Sequence, residues 1–165
     1  MKPHFHHYWW AIDRVLAGMP MPYVHPERRM NLGGQLHDHD DELPALHDLG
    51  FRAFVCLLNT PSDVAVFESA GFLFRFWPVP NGLSPSLQQA VDAIKFIDHC
   101  RLNSFPVAIY CEAGLCRTGT VIASYLIHEG KSAKEAIRYI RTIEPSAIET
   151  VHQIKFLEEF ERSHP

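Results

Sequence analysis

The tightest constraint in this sequence is a pair of short apolar runs, Phe51–Leu58 and Val107–Tyr110, each set between stretches with helical spacing. A run that is apolar on both faces suits a strand covered from both sides, which is where parallel strands occur. Parallel neighbours need a crossover connection, and a helix is the usual one. The remaining order agrees. Tyr8–Leu16 reads as an opening strand pair, with Ala17-Gly18-Met19-Pro20 turning away from it, followed by a loop rich in Pro, Gly and Arg. A helix is expected from about Asp40 to Leu49, closed by Gly50, then a short one over Pro61–Ala70. Phe72–Val79 reads as a third strand ending in the turn Pro80-Asn81-Gly82. Ser84-Pro85 opens a long helix with Leu87, Val91, Ile94 and Ile97 on one face. Three helices follow, at about Arg117–His128, Ser132–Ile143 (Ala136, Ile137 and Ile140 inward) and Glu149–Arg162 (Val151, Ile154, Leu157 and Phe160 inward). The expected fold is α/β, one domain over residues 1–165, with a central, largely parallel sheet and helices on both faces. In such sheets the site lies beyond the carboxyl ends of the central strands, where Cys111 falls.

Net charge is −4 with neutral histidines, so no global basic field draws in nucleic acid or an anionic membrane. Any bound anion must be met by a local site. No apolar stretch approaches the roughly 18 residues of a membrane span, and MKPHFHHYWW lacks the apolar run of a signal peptide. Four cysteines in 165 residues are too few for a disulfide scaffold, so a reducing cytoplasm is the expected location.

Val107-Ala108-Ile109-Tyr110-Cys111-Glu112-Ala113-Gly114-Leu115-Cys116-Arg117-Thr118-Gly119-Thr120 carries the chemistry. A strand ends in a cysteine, five residues form a loop, and an arginine begins a helix. The backbone N–H groups of Glu112, Ala113, Gly114, Leu115, Cys116 and Arg117 can then converge on one point in front of a helix N-terminus, a cradle for an anion. The same potential favours a nucleophilic thiolate. Arg117 can pair with two phosphate oxygens and keep them as charge spreads in a transition state. Gly114 permits a tight backbone approach, and Thr118 can donate its hydroxyl to the Cys111 sulfur. A bare C-x5-R occurs by chance in many chains. Strand, glycine, Arg-Thr-Gly and apolar helix together are a far narrower signal.

Cys111 to Thr120 resembles the signature of protein tyrosine phosphatases, particularly the small atypical dual-specificity group, whose loops often read H-C-x-x-G-x-x-R-T-G-T. Leu16-Ala17-Gly18 resembles that group's early strand, Leu49-Gly50-Phe51 its helix-to-strand junction, and Pro145-Ser146-Ala147-Ile148-Glu149-Thr150 with Gln153 its late segment and water-orienting glutamine. Only the loop around Pro22–Leu36 lacks a counterpart. The resemblance implies a phosphocysteine intermediate, no metal or other cofactor, and hydrolysis of phosphotyrosine, of phosphoserine or phosphothreonine, or of a small phosphate monoester. Cys111, Arg117, Thr118, Glu149 and Gln153 are the catalytic candidates it implies. Glu112 matches inositol-polyphosphate phosphatases of the superfamily, which keeps an inositol phosphate open as substrate. Oligomeric state is left open.

Two departures qualify the expectation. Tyr110 replaces the histidine that supports the loop in the family, so that support is either absent or supplied by the phenol. Asn81 stands where the family's general acid, an aspartate, belongs. An amide cannot protonate a leaving group, and such transfer is worth about 10²–10⁴ in rate. Either another carboxylate serves, or leaving groups are activated, or the domain binds phosphate with little turnover. Asp63 and Glu149 are the alternative carboxylates, each also explained as a helix-start residue. Cys116 has the spacing at which low-molecular-weight phosphatases form a protective disulfide with the nucleophile, and is otherwise a small filler. Cys56 and Cys100 read as core. The clusters His4-Phe5-His6-His7 and His37-Asp38-His39-Asp40-Asp41 lack spaced partner ligands, so no metal is expected. Trp9 and Trp10 alternate on a strand, which puts at least one in the core.

Overall fold

The computed structural model describes residues 7–22, 42–60 and 64–164. Strands β1 (Trp9–Ile12), β2 (Leu16–Pro20), β3 (Ala53–Cys56), β4 (Leu73–Phe76) and β5 (Val107–Cys111) form one sheet in the order β1-β2-β5-β3-β4. Only the β1–β2 pairing is antiparallel; β2–β5, β5–β3 and β3–β4 are parallel. The helices are α1 (Glu42–Asp48), α2 (Val64–Ser69), α3 (Leu87–Leu102), α4 (Cys116–His128), α5 (Ala133–Ile143) and α6 (Val151–Ser163).

Strand alternation divides the core in two. Leu16, Val55, Val107, Ile109 and Cys111 pack with the α3–α6 side chains, whereas Met19, Phe54, Cys56, Ala108 and Tyr110 pack with Leu46 of α1 and Phe67 of α2. Helices therefore cover both faces, as the apolar runs required. Cys56 and Cys100 are fully buried core residues. Every residue of α4 from Arg117 to Ile127 is buried. A helix buried on every side lies inside the layer rather than on it, and this one packs against α3, α5 and α6.

Ala17–Pro20 is a correction. The expected turn is an interior strand, every residue buried and paired with β5. Chain reversal falls earlier, at Asp13–Val15, where Arg14 takes φ 53°. Glycine and proline at these positions suggest a turn, but each is tolerated for a local reason. A Cβ on Gly18 would stand 2.4 Å from the Trp9 ring, and Pro20 is the last residue of the strand. Helix faces are also corrected. Leu87 and Val151 are 40% and 66% exposed, because α3 starts only at its Ser86 cap and α6 at its Thr150 cap, leaving both as first-turn residues at the helix ends. Ala90, Ala93, Phe96 and Cys100 complete the buried face of α3 instead. Pro61–Asp63, most of the Pro22–Leu36 loop, His4, His6 and the His37–Asp41 cluster lie outside the described residues. His7 pairs with the Glu144 carboxylate. No helix among the described residues is long and apolar enough to cross a membrane.

Candidate active site

Strand β5 delivers Cys111 at its last residue, and α4 begins at Cys116, so the intervening loop is flanked by rigid elements on both sides. Cys111 is 2% exposed and accepts a hydrogen bond from the Thr118 hydroxyl, Oγ1 to Sγ 3.1 Å. Leu115 is the N-cap of α4, with no side-chain hydrogen bond to the first-turn amides. That leaves the helix N-terminus and its partial positive charge directed at the loop.

Gly114 adopts φ +73°, and its Cα lies so close to β2 that a Cβ would sit 2.2–2.4 Å from backbone atoms of Met19 and Pro20. Two loop carbonyls are held from β1 and from the residue that follows β2. Met21 donates its backbone N–H to Glu112 O at 3.3 Å, and the Trp9 indole donates Nε1–H to Gly114 O at 3.1 Å.

Arg117 is 3% exposed, and its Nη1 donates to Val79 O at 3.0 Å, with Leu57 O at 3.5 Å. Its Nε is buried without a hydrogen-bond partner among the described residues. An unpaired buried guanidinium nitrogen is costly unless a ligand takes it, so the donor set fits an oxyanion.

Asn81 is exposed on the loop after β4, and that loop is fastened at several points. Gln89 donates to Pro78 O at 3.0 Å, Thr150 Oγ1 to Gly82 O at 2.9 Å, and Gln153 Nε2 to Leu83 O at 3.1 Å. Gln153 is fully buried, and its carboxamide oxygen accepts from the N–H groups of Glu149 and Thr150. One amide hydrogen is left for any other partner. Asp63 lies outside the described residues.

Glu149 does reach the loop. Its carboxylate accepts a hydrogen bond from Cys116, Sγ to Oε2 2.9 Å. The segment that presents it is strained. Ile148, β-branched and fully buried, takes φ 58°. Arg141 holds this turn by donating Nε to Ala147 O at 3.1 Å and Nη2 to Ile148 O at 2.6 Å. Gly119 gives it room, since a Cβ there would be 3.2 Å from Ala147 and Ile148. Burial, then the hydrogen bond and charge of Glu149, push the Cys116 thiol up to about 12 despite Arg117 nearby. Cys116 is thus a protonated donor rather than a second thiolate.

Tyr110 is fully buried on the opposite sheet face, its ring stacked on Phe67 at 6.3 Å. Neither Trp9 nor Arg141 carried a motif that sequence reasoning could read. Trp9 acts through a backbone carbonyl 105 residues away, and Arg141 through two carbonyls of the turn that follows its own helix.

Residues 29–131, more than half of the chain, match a family described as "Polymorphic toxin system, DSP-PTPase phosphatase". Among curated proteins, the chain is similar to the dual specificity protein phosphatase CDC14B of Mus musculus, 29% identical over 143 residues, covering 85% of this chain and 28% of that protein. It is likewise 29% identical over 140 residues to the tyrosine-protein phosphatase cdc-14 of Caenorhabditis elegans, covering 84% and 19%. The chain therefore spans less than a third of these relatives' length. Among solved structures, Tk-PTP in its active form superposes with a TM-score of 0.74 at 27% identity, covering 89% of this chain and 91% of that one. A kinase associated phosphatase with a substituted catalytic cysteine shares the fold, with a TM-score of 0.79 at 19% identity, covering 96% and 95%. The chain belongs to the cysteine-dependent protein tyrosine phosphatase superfamily, as a domain of the small dual-specificity type.

Proposed function

We propose that this domain hydrolyses phosphate monoesters in two steps through a phosphocysteine on Cys111, with phosphotyrosine in a protein as its substrate. The Cys111 sulfur attacks phosphorus in line, and the bond to the leaving oxygen breaks. Arg117 and the N–H groups of the 112–117 loop hold the three remaining oxygens. Water then attacks the phosphocysteine and releases phosphate, while the Thr118 hydroxyl, 3.1 Å from the sulfur, stabilises the departing thiolate. In this reading Glu149, whose carboxylate reaches the loop at Cys116, orients that water, with Gln153 beside it.

The observation that carries this reading is the convergence of a buried cysteine, an uncapped helix N-terminus and a buried arginine with an unpaired Nε. Nothing in that set needs a metal or cofactor. The Glu149 carboxylate against the loop disfavours polyphosphorylated substrates relative to a single phosphate on a peptide. The exposed Asn81 favours slow turnover of esters with poor leaving groups.

Steady-state hydrolysis of p-nitrophenyl phosphate, a phosphotyrosine peptide and an inositol polyphosphate tests the proposal. Cys111→Ser is expected to abolish turnover and keep vanadate binding, and Arg117→Ala to weaken both. Undiminished hydrolysis by Cys111→Ser would remove the cysteine from the mechanism. Preference for the inositol polyphosphate would overturn the substrate.

A further inference from the structure

A planar trans peptide points its C=O and its N–H in opposite directions. Holding a carbonyl therefore aims the next residue's amide. In the Cys111–Arg117 loop two alternate carbonyls are held from one side. The Met21 N–H takes Glu112 O at 3.3 Å, and the Trp9 indole takes Gly114 O at 3.1 Å. The N–H groups they direct the other way belong to Ala113 and Leu115, both within the anion-binding set. Trp9 of β1 and Met21, the residue after β2, thus act together as a template for the loop's donors.

We infer that Trp9 is a positioning residue for the phosphate site: its indole N–H fixes the Gly114–Leu115 peptide so that the Leu115 amide faces the substrate's oxygens. Three features support this. Trp9 is 4% exposed, so its hydrogen bond is shielded from competing water. Its ring is held by packing, because a Cβ on Gly18 would lie 2.4 Å from it, and only glycine leaves that space. Gly114 has φ +73°, and a glycine's wide backbone freedom gives its flanking peptide the most to gain from an external anchor. The Tyr110 ring, one residue before the nucleophile, packs on the other sheet face against Phe67. The inference rests on the proposed phosphatase reading but not on turnover, because the cradle can be tested by binding alone.

The test compares wild type, Trp9→Phe and Trp10→Phe by tungstate calorimetry, thermal unfolding and p-nitrophenyl phosphate kinetics. Trp10 is the control. It stacks on Phe51 at 5.1 Å, on the other face of the same strand. Losing an oxyanion donor costs about 10²–10³ in kcat; misaiming one in Trp9→Phe is expected to cost roughly ten- to hundredfold in kcat, with a parallel loss of tungstate affinity and little change in KM. Trp10→Phe is expected to lower thermal stability without changing tungstate affinity or kcat. Should Trp9→Phe not fold, replacing Trp9 by 3-benzothienylalanine keeps the ring shape and removes only the N–H. A variant lacking the N–H but with wild-type tungstate affinity and kcat would overturn the inference, as would a wild type that binds no tungstate. If wild type binds tungstate but hydrolyses none of the esters, the function fails, and the tungstate comparison still decides the role of Trp9.

Discussion

Gly114→Ala tests the account at the point where loop and sheet are closest. Alanine at φ +73° carries a left-handed penalty of about 1–2 kcal/mol. The new Cβ would also meet Met19 and Pro20 backbone atoms at 2.2–2.4 Å. Those atoms belong to an interior strand paired along its whole length with β5, so they cannot swing aside like a side-chain tip. Overpacking of this kind costs about 1–3 kcal/mol, which gives a total of roughly 2–5 kcal/mol. At about 2–4 °C per kcal/mol for a chain of this size, Tm should fall by roughly 4–20 °C. Gly130→Ala is the matched control, with φ +105° and nothing within 4 Å of its Cβ; carrying the left-handed penalty alone, it should fall only about 2–8 °C. Calorimetric unfolding measures both. Kinetics separate them further, because relief of the Gly114 overlap must move the loop, and kcat should drop at least tenfold there but not at Gly130. Equal Tm losses and equal kcat in the two variants would refute the close approach of loop and β2.

Three further outcomes follow from the same geometry. Asn81→Asp should raise turnover of phosphotyrosine more than of p-nitrophenyl phosphate, by one to a few powers of ten, the usual worth of a general acid. A Brønsted series over leaving groups checks this, and an unchanged slope would mean that another group supplies the proton. On mild peroxide, a Cys111 sulfenic acid condenses with the Cys116 thiol to a disulfide and water; Glu149→Gln should speed that closure by lowering the Cys116 thiol from about 12, since the Glu149 hydrogen bond and charge help raise it. Peptide mass mapping over time would detect it, and only sulfinic or sulfonic Cys111 would leave Cys116 without a redox role. Stability should fall in alkali: burial raises Cys100 from 9.0 to about 11, Cys116 from 9.0 to about 12 and Tyr125 from 10.0 to about 12. The unfolded chain deprotonates first, so this stability is full below pH 9 and lost as pH rises from about 9 to about 12. Cys116→Ser should flatten that decline in denaturant titrations, and an unaltered profile would contradict the assignment.

How much of this was legible in the sequence depended on how local each cause is. The apolar runs of β3 and β5 fixed their burial, and the starts expected at Ser132 and Glu149 fall within a few residues of the observed helices, whose N-caps are Ser132 and Thr150. The cysteine, Thr118 and Arg117 share one strand–loop–helix, so their convergence could be read directly. Ala17–Pro20 could not, because a strand of such residues is stable only with the Trp9 ring over Gly18 and β5 alongside. Gln153 was assigned to water on resemblance. In the fold its carboxamide is mostly spent on the α6 cap and Leu83 O, a contact across 70 residues that no spacing reveals. Glu149 was foreseen near the loop, but not the strained Ile148 and the Arg141 clamp that bring it there.

In the proposed reaction the phosphoryl group passes through the Cys111 sulfur. Rapid acid quench of the enzyme turning over 32P-labelled phosphotyrosine peptide, followed by peptide mapping, tests it directly. An acid-stable, iodine-labile label is expected on the Cys111 peptide, absent from Cys111→Ser and longer-lived in Glu149→Gln. Label on any other residue, or full turnover with no labelled cysteine at any quench time, would contradict it.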